Sequence, residues 1–257
     1  MTSPKSLPEG LRARVQALGL HGLDANWAQI GHEPWIERLV DLEDAERRRR
    51  SLERRIKSAR LGRFRAMTDF DWSWPKKIDR ELVEELMGLD FAEHGTNVVL
   101  LGPNGVGKTT LAQNLAHQAL LRGWTVRCTT ASDMLHDLGA QETTRARTAR
   151  LRQYTNAKLL LIDEVGYLSY DTRYADLLFE VITRRYEQSR SVVLTTNKPF
   201  GEWGQVFPNA ACVVTLVDRL MHRAEIVTIE AESYRLHEAT ERASQRAKKK
   251  TGKRLEG

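Results

Sequence analysis

VVLLGPNGVGKTTL, residues 98–111, runs from four apolar residues into a helical pattern through the spacing G-x-x-x-x-G-K-T. A phosphate-binding loop needs that spacing between a buried strand and a helix, because its backbone amides must turn inward around a β-phosphate. Gly102, Pro103, Asn104, Gly105, Val106, Gly107, Lys108, Thr109 and Thr110 are therefore the expected nucleotide-binding residues. Lys108 brings a point charge to the β and γ oxygens, and the Thr109 hydroxyl is a ligand for magnesium. ATP and Mg2+ are the expected cofactors.

Further along, KLLLIDEVG places Asp163 and Glu164 directly after an apolar run, where acids project from the carboxyl end of a buried parallel strand. Asp163 is expected on the metal and Glu164 on the attacking water. SVVLTTN ends in Asn197, whose amide can hold that water or the γ-phosphate; Asn197, Lys198 and Pro199 are also ordinary turn chemistry, and the two preceding motifs favour the catalytic reading.

Outward from these motifs, short apolar runs alternate with helical patterns: VVLLG, a helix from Lys108 to about Arg122, TVRCTT, helices near Ser132 to Tyr154, KLLLID, a helix over Thr172 to Gln188, SVVLTTN, a helix over Ala210 to Arg223, EIVTIE, and the helix of SYRLHEATERA. The fold class is α/β, a parallel sheet between helices. Before it, Leu11 to Leu61 is helical in pattern, with Trp35, Ile36, Leu39 and Val40 as one apolar stripe and Leu52, Ile56 and Ala59 as another. DFDWSWPKK reads as a connector, followed by a helix from about Ile78 to Met87. The expected organisation is a small all-helical N-terminal domain over 1–68 for DNA or partner binding, an ATPase domain over 69–244 and a basic disordered tail over 245–257.

Apolar residues are 41% and charged residues 29% of the 257, as in a globular protein with a packed core. The apolar runs are too short to cross a bilayer, and MTSPKSLPEG lacks the apolar stretch of a signal peptide, so a cytoplasmic protein without membrane association is expected. Cys128 and Cys212 have neither disulfide nor zinc spacing and read as small hydrophobes. The formal charge is only +6, yet Arg47, Arg48, Arg49, Arg50, Arg54, Arg55, Lys57, Arg60, Arg63 and Arg65 fall within 19 positions with Glu53 as the one carboxylate. Such a segment suits a polyanion, through phosphate contacts rather than base reading. Asp41, Glu43, Asp44 and Glu46 just before it favour a solvated helix face instead. A second cluster, Arg145, Arg147, Arg150 and Arg152, precedes the acid-bearing strand.

The order of P-loop, strand-Asp-Glu, strand-Asn, D-R-L and S-Y-R resembles the AAA+ ATPases, in the DnaC and IstB branch, over about residues 98–238. DTRYADLLFEVITRRYEQSRSVVLTTNKPFGEWGQVF and LVDRLMHRAEIVTIEAESYRLHEA are similar to IstB-type helper ATPases of insertion sequences, as is the helical N-terminal part with its LGLHGLDANW. The resemblance implies that Asn197 is a first sensor, Arg219 an arginine finger reaching a neighbouring subunit, with Arg223 the alternative, and Arg235 a second-sensor arginine. It also implies a homo-oligomer with ATP at subunit interfaces, assembled on double-stranded DNA, that assists a DDE-type transposase. Sixty residues follow Asn197, which leaves little room for a separate helical lid. The competing readings are a DnaC-like replicative helicase loader and a nucleotide-gated architectural DNA-binding protein.

Overall fold

The computed structural model describes residues 9–62, 64–167, 172–207, 210–238, 240 and 242. The chain divides into two compact units, Met1–Arg54 and Arg55–Gly257, with the division inside one helix. That division falls earlier than residue 68, where the sequence pattern places it. Leu61 and Arg65 are tied to the phosphate-loop helix of the second unit: Gln113 Nε2 donates to the Leu61 carbonyl at 3.2 Å and Asn114 Nδ2 to that of Arg65 at 2.9 Å. Ala59 and Leu61 are buried. The tail expected over 245–257 lies outside the described residues.

The first unit comprises α1 (Glu9–Ala17), α2 (His21–Ala25), α3 (Trp27–Ile30) and the first part of α4 (Pro34–Ala59). Pro34 opens α4 at the position where a missing N–H costs nothing. Val15, Leu18, Trp27, Ile36 and Val40 form the core. Of the expected stripe on α4, Ile36 and Val40 are buried, while Trp35 and Leu39 are 51% and 40% exposed. Three short helices cover only a narrow strip of a long one.

The second unit follows in the order α5 (Arg80–Met87), α6 (Asp90–Glu93), β1 (Asn97–Leu101), α7 (Lys108–Leu121), β2 (Val126–Thr130), α8 (Ala131–Gly139), α9 (Thr144–Thr155), β3 (Leu159–Val165), α10 (Thr172–Glu187), β4 (Val192–Thr196), α11 (Trp203–Val206), α12 (Ala210–Met221) and β5 (Ala224–Thr228). The helices start where local chemistry allows. The side chains of Asp79, Thr130 and Thr143 accept from the amides of Leu82, Asp133 and Ala146, capping α5, α8 and α9.

The five strands form one parallel sheet in the order β2-β3-β4-β1-β5. β1, β3 and β4 are buried almost end to end, as befits strands covered on both faces. β4, late in the sequence, lies between the strand that leads into the phosphate loop and the strand that carries the acids.

A buried guanidinium braces this arrangement. Arg185 of α10 is fully buried, and its Nη1 and Nη2 donate to the carbonyls of Tyr154, Thr155, Ala157, Lys158 and Ser191. It ties the end of α9 and the entry to β3 to the entry of β4. Burial, reinforced by the charge of Arg190, lowers its pKa to about 9.

Candidate nucleotide-binding site

The phosphate loop, leaving β1 and entering α7, forms one wall of a cavity of about 480 Å3. Glu164, Tyr167 and Arg235 face the same space, and Phe64, Phe70, Trp74 and Tyr234 add an aromatic wall. Gly107 adopts φ +100°, and a Cβ there would stand 2.7 Å from the Phe70 ring. Gly105 adopts φ +80°, a Cβ there would collide with the Ser233 hydroxyl, and its carbonyl accepts from the Tyr234 amide at 3.0 Å. Glycine is therefore required at both positions by conformation and by contact.

Lys108 is 4% exposed and turns back into the loop, donating to the carbonyls of Gly102 at 2.7 Å and Pro103 at 2.6 Å. Burial lowers its pKa to about 8; Arg235 pushes the same way, while Asp163 and Glu164 oppose it. An ammonium in this position is undersolvated, and a polyphosphate would relieve that.

Asp163 and Glu164 lie near the carboxyl end of β3. Thr109 Oγ1 donates to Asp163 Oδ1 at 3.1 Å, so the two expected magnesium ligands adjoin. The Thr195 hydroxyl of β4 donates to the same Oδ1, and the Glu164 amide donates to that hydroxyl at 2.9 Å. Glu164 has φ +62°, left-handed backbone that costs a non-glycine residue roughly 1 kcal/mol or more. A hydroxyl and a carboxylate side by side fit magnesium, which takes one or two protein ligands and completes its shell with phosphate oxygens and water. Among the described residues no cluster of three or more His, Cys, Asp or Glu is placed to hold a metal without such help.

Asn197 follows β4 as expected but does not line the cavity, and its Oδ1 is buried without a hydrogen-bond partner among the described residues. Arg219, on α12, lies outside this cavity. It donates to the Thr183 hydroxyl, stacks 4.9 Å from the Phe179 ring centre, and shares a separate cavity of about 260 Å3 with Arg190 and Arg223. Asn97 and Val192, which begin β1 and β4, line that second cavity, so it sits at the end of the sheet opposite the phosphate loop.

The basic segment is less uniform than its composition suggests. Arg47 pairs with Glu43 at 2.5 Å, Arg48 with Asp44 at 2.7 Å, Arg49 with Glu46 at 2.8 Å and Glu53 at 2.5 Å, and Arg50 with Glu46 at 2.7 Å. Hydrogen bonds from Arg49 and Arg50 hold Glu46 down at about 2. Helical spacing brings in carboxylates that precede the segment in sequence. In the second unit, Arg55 reaches the Leu120 carbonyl at 3.4 Å, while Lys57 and Arg60 are exposed without an ion pair among the described residues. Arg65 lines the nucleotide cavity and forms a two-pronged pair with Glu238, at 3.0 and 3.3 Å. Arg63 lies outside the described residues. In the second basic cluster, Arg150 pairs with Asp137 at 3.4 Å.

Sequence reading missed the aromatic wall and Thr195. DFDWSWPKK is more than a connector: Trp74 Nε1 donates to the Glu232 carbonyl at 2.9 Å, Trp74 stacks on His237 at 4.4 Å, and Lys77 bridges to Glu230. Its clustered aromatics were the available signal. Thr195 offered none, because a β-branched residue in a strand is ordinary.

A parallel sheet with this strand order, a phosphate loop after β1 and acids ending β3 define an ATP-binding protein of the AAA+ class. Residues 9–242 match the family described as IstB-like ATP binding protein. The chain belongs to that family. It is 35% identical over 214 residues to the protein named for ATP binding in insertion sequence IS5376 of Geobacillus stearothermophilus, covering 83% of this chain and 85% of that one. Against the protein so named in insertion sequence IS21 of Pseudomonas aeruginosa, identity is 38% over 192 residues, 75% and 72% of the two chains. The crystal structure of DnaI is similar with a TM-score of 0.53 over 64% of this chain and 90% of that one; at 15% identity this is a likeness of fold alone. No helix among the described residues is long and apolar enough to cross a membrane.

Proposed function

We propose that the chain hydrolyses ATP with magnesium and, as an oligomer on double-stranded DNA, assists a DDE-type transposase. The observation that carries the hydrolytic part is the Thr109–Asp163 pair beside a cavity that Glu164 also faces. Thr109 and Asp163 would hold the cation, which supplies charge neutralisation on the phosphate oxygens. Lys108 and Arg235 balance charge on the polyphosphate. Glu164 accepts a proton from water as its oxygen bonds to the γ-phosphorus and the bond to the bridging β–γ oxygen breaks, releasing ADP.

Arg219, remote from its own cavity, is suited to serve the nucleotide of an adjoining subunit, which motivates the oligomer. Asn197 does not line the cavity, so a sensing role at the end of β4 would require its buried amide to turn towards the nucleotide. The helical unit and the exposed cations at Arg54, Lys57 and Arg60 support DNA contact; Arg47 to Arg50 would have to exchange carboxylates for phosphates. The insertion-sequence names of the relatives favour transposition over helicase loading.

Turnover measured with and without duplex DNA tests this reading. DNA-stimulated release of phosphate, abolished in Glu164→Gln, supports it. ATP binding with no turnover on DNA would leave the architectural reading. Capture of a transposase rather than a replicative helicase by the ATP-bound protein tests the partner.

A further inference from the structure

We propose that Thr195 is a positioning residue for hydrolysis, its hydroxyl setting the direction in which Asp163 and Glu164 leave the sheet; this rests on the hydrolytic reading above. On a regular strand, neighbouring residues point to opposite faces, so adjacent acids would not serve one cavity. β3 departs from regularity at this point. Ile162 pairs with Leu194 and Val165 with Thr196, so Asp163 and Glu164 together oppose the single residue Thr195. This is a bulge, and Glu164 takes its left-handed conformation within it.

Thr195 holds the bulge from the neighbouring strand. It is fully buried, and its hydroxyl accepts from the Glu164 amide at 2.9 Å while donating to Asp163 Oδ1. Thr109 donates to the same Oδ1, so both hydroxyls occupy one carboxylate oxygen and Oδ2 accepts from no described residue. Both tasks of Thr195 need one group that accepts and donates together, which only a hydroxyl of this size provides on a buried strand. The position of β4 between β1 and β3 makes the contact possible, and Leu100 of β1 pairs with Thr195 on the other side. One residue thus joins the strand of the phosphate loop, through its backbone, to the Asp163 carboxylate and the Glu164 amide, through its hydroxyl.

The variants are Thr195→Val, of equal shape without the hydroxyl, and Thr195→Ser, which keeps it. In Thr195→Val, kcat should fall at least 30-fold with the ATP dissociation constant within threefold of the parent; Thr195→Ser should stay within threefold in both. Hydrogen exchange at the Glu164 amide should accelerate at least tenfold in the Val variant and stay unchanged in the Ser variant. If Thr195→Val does not fold, Thr195→Ala carries the same expectations. Parental kcat in the hydroxyl-free variant, or unchanged exchange at Glu164, overturns the proposal, as does equal loss of activity in Val and Ser. Should the parent bind ATP without turning it over, the hydrolytic reading fails, and the exchange measurement still decides whether Thr195 holds Glu164.

Discussion

The ammonium of Lys108 donates to the Gly102 carbonyl at 2.7 Å, so the lysine of the phosphate loop is held by the loop it belongs to. Its pKa of about 8 and the polyphosphate's ability to raise it give ATP binding a pH dependence. Below about pH 8 the lysine is already charged and affinity should be flat. Above it, binding must take up a proton, and affinity should fall towards tenfold per pH unit. For folding the sign is opposite: the unfolded chain holds this proton up to its ordinary 10.5, so this group makes stability rise between about pH 8 and 10.5. Calorimetry at pH 8.5 in buffers of different ionisation enthalpy should report proton uptake with ATP. Its absence would place the lysine's titration elsewhere.

Lys108 and Glu164 should fail differently. Lys108→Ala should lose ATP binding, whereas Glu164→Gln should bind ATP and accumulate stable nucleotide-bound assemblies without hydrolysis. Filter binding and phosphate release separate the two. Normal turnover in Glu164→Gln would remove that residue from the water step.

Strain at Glu164 sets activity against stability. Glu164→Gly relieves the left-handed backbone at φ +62° and should stabilise the fold by about 1 kcal/mol while abolishing hydrolysis. Urea unfolding that shows a loss of stability would mean the carboxylate contributes more to the fold than the backbone costs.

Arg185 should be among the most sensitive positions of the core. Arg185→Met leaves the carbonyls of Tyr154, Thr155, Ala157, Lys158 and Ser191 without this donor and should cost about 3 kcal/mol or more. Arg185→Lys has three donors and should recover only part. Denaturation midpoints measure both, and a change under 1 kcal/mol in the Met variant would argue against the brace.

Arg219→Ala should bind ATP but hydrolyse it 10³-fold or more slowly, the scale of an arginine finger. Mixed with Lys108→Ala, it should regain partial turnover where an empty subunit lends Arg219 to a loaded one. Mixed oligomers verified by crosslinking that remain inactive would direct attention to Arg223.

Salt dependence distinguishes the exposed cations from the paired ones. Each phosphate contact contributes about 0.9 to the slope of log affinity against log salt, so replacing Arg54, Lys57 and Arg60 by alanine should flatten it by about 2.7. Replacing Arg47 to Arg50 should flatten it less per residue, because each is already neutralised within α4. Equal effects per residue would show that the carboxylate pairs yield freely to DNA.

The sequence alone determined what is local. Gly102 to Thr110 are contiguous, and strand, loop and helix follow from their own backbone requirements; Asp163 and Glu164 end an apolar run that has to be a buried strand. Charge on α4 was half legible, since the arginines were visible but their pairing with Glu43, Asp44 and Glu46 depended on helical spacing across the edge of the segment. Tertiary structure decided the rest. No pattern in SVVLTTN indicates that β4 inserts between β1 and β3, so nothing in it marks Thr195 as the residue beneath both acids. The aromatic wall joins Phe64, Phe70 and Trp74 to Tyr234, about 160 positions away, and Arg65 left the basic run to pair with Glu238. Strand order and cross-chain packing are set by the competition among all pairings the chain can make, and that competition leaves no local trace.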